Sequence, residues 1–358
     1  VSRDRAHDPG DLHPREAVTR YLRRRRSDST DASVKSWKYR LKLFVEWCQG
    51  VGIDRIGDLR GYDIDEYYEL RSGAIAPATL EGEMWTLQTF VEYLEQLGAV
   101  EEDLSDSVRV PDLDPSDRAN SESLSTEAAF ALLNYYRDSE VHRATRKHAF
   151  LELAWHTGAR QGGLRALDVR DVYPEEGYVE FHHRPKTGTP LKNKQHGERP
   201  VSLRDEVAAV LREFMGNRYD VRDGHDRQPY LASRYGRPTE NTIRNWSYVA
   251  TQPCLHSPCP HGKERPSCEY TEYTHASKCP SSRSPHRIRT GAVTWMLNAG
   301  IPPEIVAQRV NASVQTIRDH YDWATDSQRW SRYHDQMNSR REHLQKLDFA
   351  NDTEFTAE

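Results

Sequence analysis

From residue 14 to residue 110 the apolar residues recur every three or four positions, and this restricts the possible folds more than any other feature of the chain. Val34, Trp37, Leu41, Phe44 and Cys48 share one helical face, as do Leu80, Met84, Leu87, Val91 and Leu94. Shorter stripes, Val18–Tyr21–Leu22 and Ile64–Tyr67–Tyr68, give two more helices. Pro14 and Pro77 stand where a first helical residue tolerates proline. Asp31 or Ser33 can cap the second helix, Gly50 and Gly52 end it, and Gly98 ends the fourth. These signals predict an all-helical domain over 14–110, preceded by a loose polar arm over 1–13.

Residues 111–123 break the pattern with prolines, aspartates and polar caps, and form the best linker candidate. Beyond it the periods are mixed. Helices are expected over 125–136, 141–156, 204–214, 240–249 and from His286 onward. Short strands are expected near 178–182 and 199–203, with a long basic Gly/Pro-bearing tip between them. Residues 169–172 are also strand-like. The fold class is therefore mainly α, an all-helical domain followed by an α+β domain over 124–347 with a small antiparallel sheet. An amphipathic segment over 327–347 and an acidic tail over 348–358 close the chain. The 358 residues suffice for two domains with real cores.

Composition narrows the class. Fifty Lys+Arg face 55 Asp+Glu, a formal charge of −5, which argues against a uniformly basic nucleic-acid coat but not against local basic faces. No apolar run approaches the roughly 18 residues of a membrane span, and the start shows no signal-peptide core. A cytoplasmic protein without membrane partners is the expectation. Only five cysteines occur, too few for a disulfide scaffold. Four of them, Cys254, Cys259, Cys268 and Cys279, crowd into 253–280 with His256, His261 and His275. This dense set of soft ligands predicts a structural zinc site held by the four cysteines, with His261 as the substitute ligand.

Four further features carry chemistry. Thr157-Gly158-Ala159-Arg160 ends an apolar helix and can fix an arginine in a cleft. Pro185-Lys186-Thr187-Gly188 puts a lysine on the tip of the hairpin. In Ser284-Pro285-His286-Arg287-Ile288-Arg289, His286 and Arg289 share one face of a helix N-terminus, a place suited to phosphate. His320-Tyr321-Asp322 supplies a tyrosine 35 residues after His286. Each feature alone fits an ordinary surface or packing residue better than a functional one. Their order does not.

Arginine, then a hairpin lysine, then HxxR, then tyrosine, behind a helical domain and a linker, resembles the tyrosine recombinase (phage integrase) family over nearly the whole chain. The resemblance implies a SAM-like core-binding domain and a catalytic domain that clamp duplex DNA, with a tetramer working on two DNA sites. It implies that Tyr321 attacks a phosphodiester and forms a 3′-phosphotyrosyl link. Arg160 and Arg289 would hold the non-bridging oxygens, His286 would assist, and Lys186 would protonate the departing 5′-oxygen. Such chemistry needs neither a cofactor nor ATP, and the chain has no P-loop sequence. The role implied is integration, excision or resolution of a mobile or viral element. The Cys/His insertion looks like that of archaeal, especially haloarchaeal, integrases.

Three departures accompany the resemblance. Gly163 stands where the family often carries a glutamate. The position of a second His or Trp falls on Asn311 or Ala312; Asn311, which can still donate a hydrogen bond, is the expected equivalent. Lys192 and Lys194 share the hairpin tip with Lys186 and could be the acid instead. Arg23, Arg24, Arg25, Arg26, Lys35, Lys38 and Lys42 are candidate phosphate contacts. The 327–347 segment could dock on a neighbouring protomer or on its own domain. Two other functions suit parts of the pattern: a type IB topoisomerase-like or hairpin-resolving enzyme, and a catalytically silent, zinc-stabilised DNA-binding regulator.

Overall fold

The computed structural model describes residues 8–113 and 123–321, with isolated helical positions between 330 and 345. Most of the expected linker, most of the 327–347 segment and the acidic tail lie outside the described residues. The chain divides into two compact units, 1–120 and 121–358.

In the first unit four helices form where the stripes predict them: α1 (Pro14–Arg25), α2 (Asp31–Val51), α3 (Gly61–Ser72) and α4 (Pro77–Gln96). The α2 cap is Thr30, not Asp31 or Ser33; its hydroxyl accepts from Ser33 N. Gly50 stays helical, and α2 stops at Gly52 (φ 83°). The stripe residues Leu41, Phe44, Met84, Leu87 and Leu94 meet in one core, with Phe44 edge-on to Tyr67 at 5.3 Å. Residues 8–13, expected to be loose, are anchored at Gly10 and Leu12. Pro9–Asp11 makes a 3-10 turn, Gly10 is buried against Gly57, and Ile56 N donates to Leu12 O (2.8 Å). Of the basic run, Arg24 lies over Tyr93 and Arg25 over Trp37, so these two guanidinia are partly occupied within the unit.

The second unit is built around α6 (Arg146–Thr157), which is buried on every side from His148 to Thr157. A helix buried all round belongs inside a larger core, and α5 (Thr126–Asp138), α8 (Asp205–Asn217), α9 (Glu240–Ala250) and α10 (Pro285–Asn298) surround it. Its one carboxylate, Glu152, is met by Arg137 (2.6 and 2.9 Å), His148 (3.1 Å) and His156 (3.3 Å). The helix expected from 141 starts only at Arg146, and Val141 is exposed.

Three antiparallel strands, β1 (Val172–Tyr173), β2 (Tyr178–Phe181) and β3 (Arg199–Ser202), lie in sequence order. Residues 169–171 form a 3-10 turn, so only the end of the strand-like segment pairs. Val179, Phe181 and Val201 turn inward, and Pro200 is tolerated because β3 is an edge strand. Short helices α7 (Gln161–Ala166), α11 (Pro303–Val310) and α12 (Val314–Tyr321) complete the unit. Among the described residues no helix is long and apolar enough to cross a membrane.

Candidate active site

The site begins where α6 ends. Gly158 caps the helix in the left-handed region (φ 57°), and a Cβ there would stand 2.8 Å from Val310 Cγ1. Glycine therefore answers two demands, the turn and the close approach of α11. The turn delivers Arg160 to the N-cap position of α7. Arg289, one turn into α10 behind the Ser284 cap, is 1% exposed. Burying an arginine this deeply requires several acceptors.

Those acceptors are the last carbonyls of α11. Arg289 Nη1 donates to Val310 O (2.6 Å) and also to Gly158 O (2.6 Å). Arg160 Nη1 donates to Asn311 O. Arg199, from β3, donates through Nε to Arg309 O (2.7 Å). Three guanidinia from three elements thus converge on three consecutive carbonyls, 309, 310 and 311. A helix C-terminus leaves its last carbonyls unpaired and carries a partial negative charge, so it can gather cations that would otherwise repel one another. A fourth guanidinium, Arg309, bridges His156 O (2.8 Å) and Ser202 O (2.6 Å) and ties α11 to α6 and β3.

The electrostatics record the crowding. Burial, reinforced by the charges of Arg289, Arg160 and Arg309, pushes Arg199 down to about 9. Burial also lowers Arg309. The Arg199 guanidinium lies 4.5 Å over the Phe181 ring. That ring accounts for Gly163: a Cβ at 163 would press on Phe181 at 3.3 Å. The place where a glutamate was expected is thus filled by the packing that supports Arg199.

Asn311 lies in the left-handed region (φ 54°), which asparagine tolerates better than most residues. Its side chain, expected as a donor to phosphate, is engaged elsewhere in this structure. Nδ2 donates to Lys192 O (3.0 Å), and Oδ1 accepts from Asn193 Nδ2 (3.0 Å). Asn311 therefore latches the hairpin tip to the end of α11, while its carbonyl holds Arg160.

Lys186 is exposed on a 3-10 turn (Pro185–Thr187) closed by Gly188 (φ 73°). Lys192 and Lys194 are exposed further along the same tip. His286 is exposed in the first turn of α10, Arg287 is half-buried, and Arg289 is inside. Tyr321 is the last helical residue of α12; its side chain lies outside the described residues. The structure thus brings together Arg160, Arg289 and Asn311 from the sequence-derived set and adds Arg199 and Arg309. The only local signal for Arg199 was its place in Glu198-Arg199-Pro200-Val201 after the lysine loop.

The 253–280 segment runs through short 3-10 turns. Cys254, Cys259, Cys268 and Cys279 are half-buried thiols, and no three Cys, His, Asp or Glu side chains among the described residues group as a metal site. Arg265 Nη1 approaches Cys254 Sγ at 2.9 Å, and His261 bonds Ser281 at 2.9 Å. The four sulfurs as placed do not form the tetrahedral zinc set expected from the spacing. Hydrogen bonds hold the segment, among them Gln252 to Tyr270 O (2.6 Å) and Ser282 to Ala276 O (2.8 Å).

A family model described as the phage integrase family matches residues 122–327. The N-terminal domain of a phage integrase/site-specific recombinase from Haloarcula marismortui is 50% identical over 28% of this chain and 97% of that one, with a TM-score of 0.28. The Tn1549 transposon integrase, solved with a circular intermediate DNA, covers 94% of this chain and 100% of its own at 14% identity and a TM-score of 0.62. A lambda integrase dimer bound to a COC′ core site is similar over 89% of this chain and 80% of its own, at 14% identity and a TM-score of 0.59. At these identities the last two establish a shared fold. No curated protein matches the chain in sequence.

Proposed function

The chain belongs to the phage integrase family of tyrosine recombinases, and from that premise we propose that it cleaves and rejoins duplex DNA through a 3′-phosphotyrosyl intermediate, serving integration, excision or resolution of a mobile or viral element. The observation that carries this reading is the convergence of Arg160, Arg199 and Arg289 on the carbonyls of residues 309–311. Such a cluster is built to receive a phosphodiester, whose charge grows in the transition state.

In the proposed reaction the Tyr321 phenolic oxygen attacks phosphorus and the P–O5′ bond breaks. Lys186 gives its proton to the departing 5′-oxygen, leaving a 3′-phosphotyrosine and a 5′-hydroxyl. A 5′-hydroxyl from a partner strand reverses the step, returns the proton to the lysine and frees Tyr321. Phenol, with an ordinary pKa near 10, is a weak nucleophile at neutral pH, so the fixed positive charge of Arg160 and Arg289 lowers the barrier on both sides of the intermediate. His286, one turn before Arg289 on α10, hydrogen-bonds the phosphate and handles the phenolic proton. Duplex DNA is the partner, and a tetramer on two sites gives the strands their exchange geometry.

A nicked suicide duplex tests the proposal. Wild-type protein should accumulate a covalent adduct that Tyr321→Phe does not form. An adduct that persists in Tyr321→Phe would refute the nucleophile, and the absence of any wild-type adduct on the element's own site would refute the reaction.

A further inference from the structure

The hairpin tip carries three lysines, and the turn that bears Lys186 is held by an arginine from a distant loop. Arg184 and Thr189 close the base of the Lys186 turn with two backbone bonds (3.1 and 3.0 Å). Arg227, 8% exposed, grips its flank: Nη1 donates to Thr187 Oγ1 (2.7 Å) and to Thr189 Oγ1 (2.8 Å). The same guanidinium is anchored from behind. Nε and Nη2 bind the two oxygens of Asp168 (2.8 and 3.1 Å), and Nη2 also reaches Ala166 O (3.2 Å). Asp168 is 2% exposed and takes Arg184 as well (3.2 Å). All the donor groups of Arg227 therefore act on protein atoms. It cannot be a phosphate ligand in this arrangement, and it shares the buried Asp168 carboxylate with Arg184 and Arg237.

We propose that Arg227, seated on Asp168, is a positioning residue that fixes the Lys186 turn for protonation of the departing 5′-oxygen. The inference rests on the reading of Lys186 as the general acid. It adds that the precision of that acid is set some 40 residues away, by two threonine hydroxyls held on a buried guanidinium. A proton donor must sit within hydrogen-bond reach of its acceptor, and a misplacement of about 1 Å can lower a rate by about 100-fold. The Lys192–Lys194 stretch is held differently, by Asn311 at Lys192 O (3.0 Å) and at Asn193 (3.0 Å), and contains two left-handed residues, Asn193 (φ 72°) and Lys194 (φ 52°).

A suicide duplex whose scissile 5′-oxygen is replaced by sulfur provides the test. A thiolate leaves without taking up a proton, so the acid is not needed on that substrate. Cleavage rates are measured on oxygen and sulfur duplexes for wild type, Lys186→Ala, Arg227→Lys and the double variant Thr187→Val/Thr189→Val. The double variant keeps the Arg227–Asp168 pair and so preserves the fold. The expected result is about 10- to 100-fold slower oxygen cleavage for Arg227→Lys and for the double variant. Sulfur cleavage should stay within about threefold of wild type, matching the pattern of Lys186→Ala. Equal losses of the double variant on both substrates, or no loss on oxygen, would overturn the positioning role while Lys186→Ala is still rescued by sulfur. Failure of sulfur to rescue Lys186→Ala itself would instead remove the acid on which the inference rests.

Discussion

Replacing Arg199 by methionine should leave the free protein about as stable as before and yet cripple its handling of DNA. The guanidinium donates to Arg309 O (2.7 Å) and Gly197 O (2.9 Å). Losing two such bonds costs about 2 kcal/mol in total at the usual net value. Against this stands the cost of burying the guanidinium, increased by the charges of Arg289, Arg160 and Arg309. The drop from the ordinary guanidinium range to about 9 corresponds to roughly 4 to 5 kcal/mol. The side chain is only partly buried, and solvent screening reduces this to about 2 kcal/mol. The two effects offset each other, so the urea midpoint at pH 7 should shift by less than the equivalent of about 1 kcal/mol. Adduct formation on the suicide duplex should nevertheless fall about 10- to 100-fold, since the proposed phosphate-binding cluster loses one cation. The pH dependence supplies a second reading. Because the folded value lies below the unfolded one, the contribution of Arg199 to stability is fully present only above the ordinary guanidinium range and is lost as pH falls through about 9. Between pH 8 and pH 10 the wild type should gain about 1 kcal/mol relative to Arg199→Met. A loss above about 3 kcal/mol in the variant, with parallel pH profiles, would show that Arg199 is a packing residue and refute the argument.

Gly197→Ala places a Cβ 2.7 Å from both Asn311 Nδ2 and Lys192 O, so it should unlatch the hairpin tip and slow cleavage while thermal melting changes little. Glu152→Gln should cost about 3 to 5 kcal/mol at neutral pH, as expected when a buried ionic network loses a partner. Burial alone would raise this carboxyl, but hydrogen bonds from His148, His156 and Arg137 hold it well below the ordinary range. Its contribution is present above about 4.5 and is lost as pH falls toward the depressed value, so acid denaturation should be steeper in wild type than in Glu152→Gln. Chelation should leave the melting temperature of the purified chain unchanged, since the four sulfurs near Cys254 are not grouped as ligands; one tightly held zinc per chain would mean that 253–280 rearranges around it.

The helical stripes of the first unit were readable because a helix face repeats every 3.6 residues within a single stretch of chain. Leu41 and Phe44, or Leu87 and Leu94, announce their burial to their own neighbours. The end of α6 at Gly158 and the start of α10 at Ser284-Pro285 were readable for the same reason, as local capping chemistry. Where tertiary contacts compete, the reading was coarser. The start of α6 slipped from 141 to Arg146, and residues 8–13 turned out anchored because Gly10 finds Gly57 from another part of the chain.

By itself the sequence determined the helices, the small sheet and the order of arginine, lysine, HxxR and tyrosine that marks the family. Only the tertiary structure decided which cations share a site. Arg160 meets a carbonyl 151 residues away, Arg199 one 110 residues away, and Arg227 a carboxylate 59 residues away. In the sequence Arg227 and Arg309 are indistinguishable from the rest of the 50 lysines and arginines. An arginine's role depends on what accepts its hydrogen bonds and how far it is withdrawn from water, and both are settled by chain segments that meet only on folding. The same holds for the cysteines: their spacing suggested a zinc site, but coordination requires sulfurs that converge in space, which spacing along the chain does not fix.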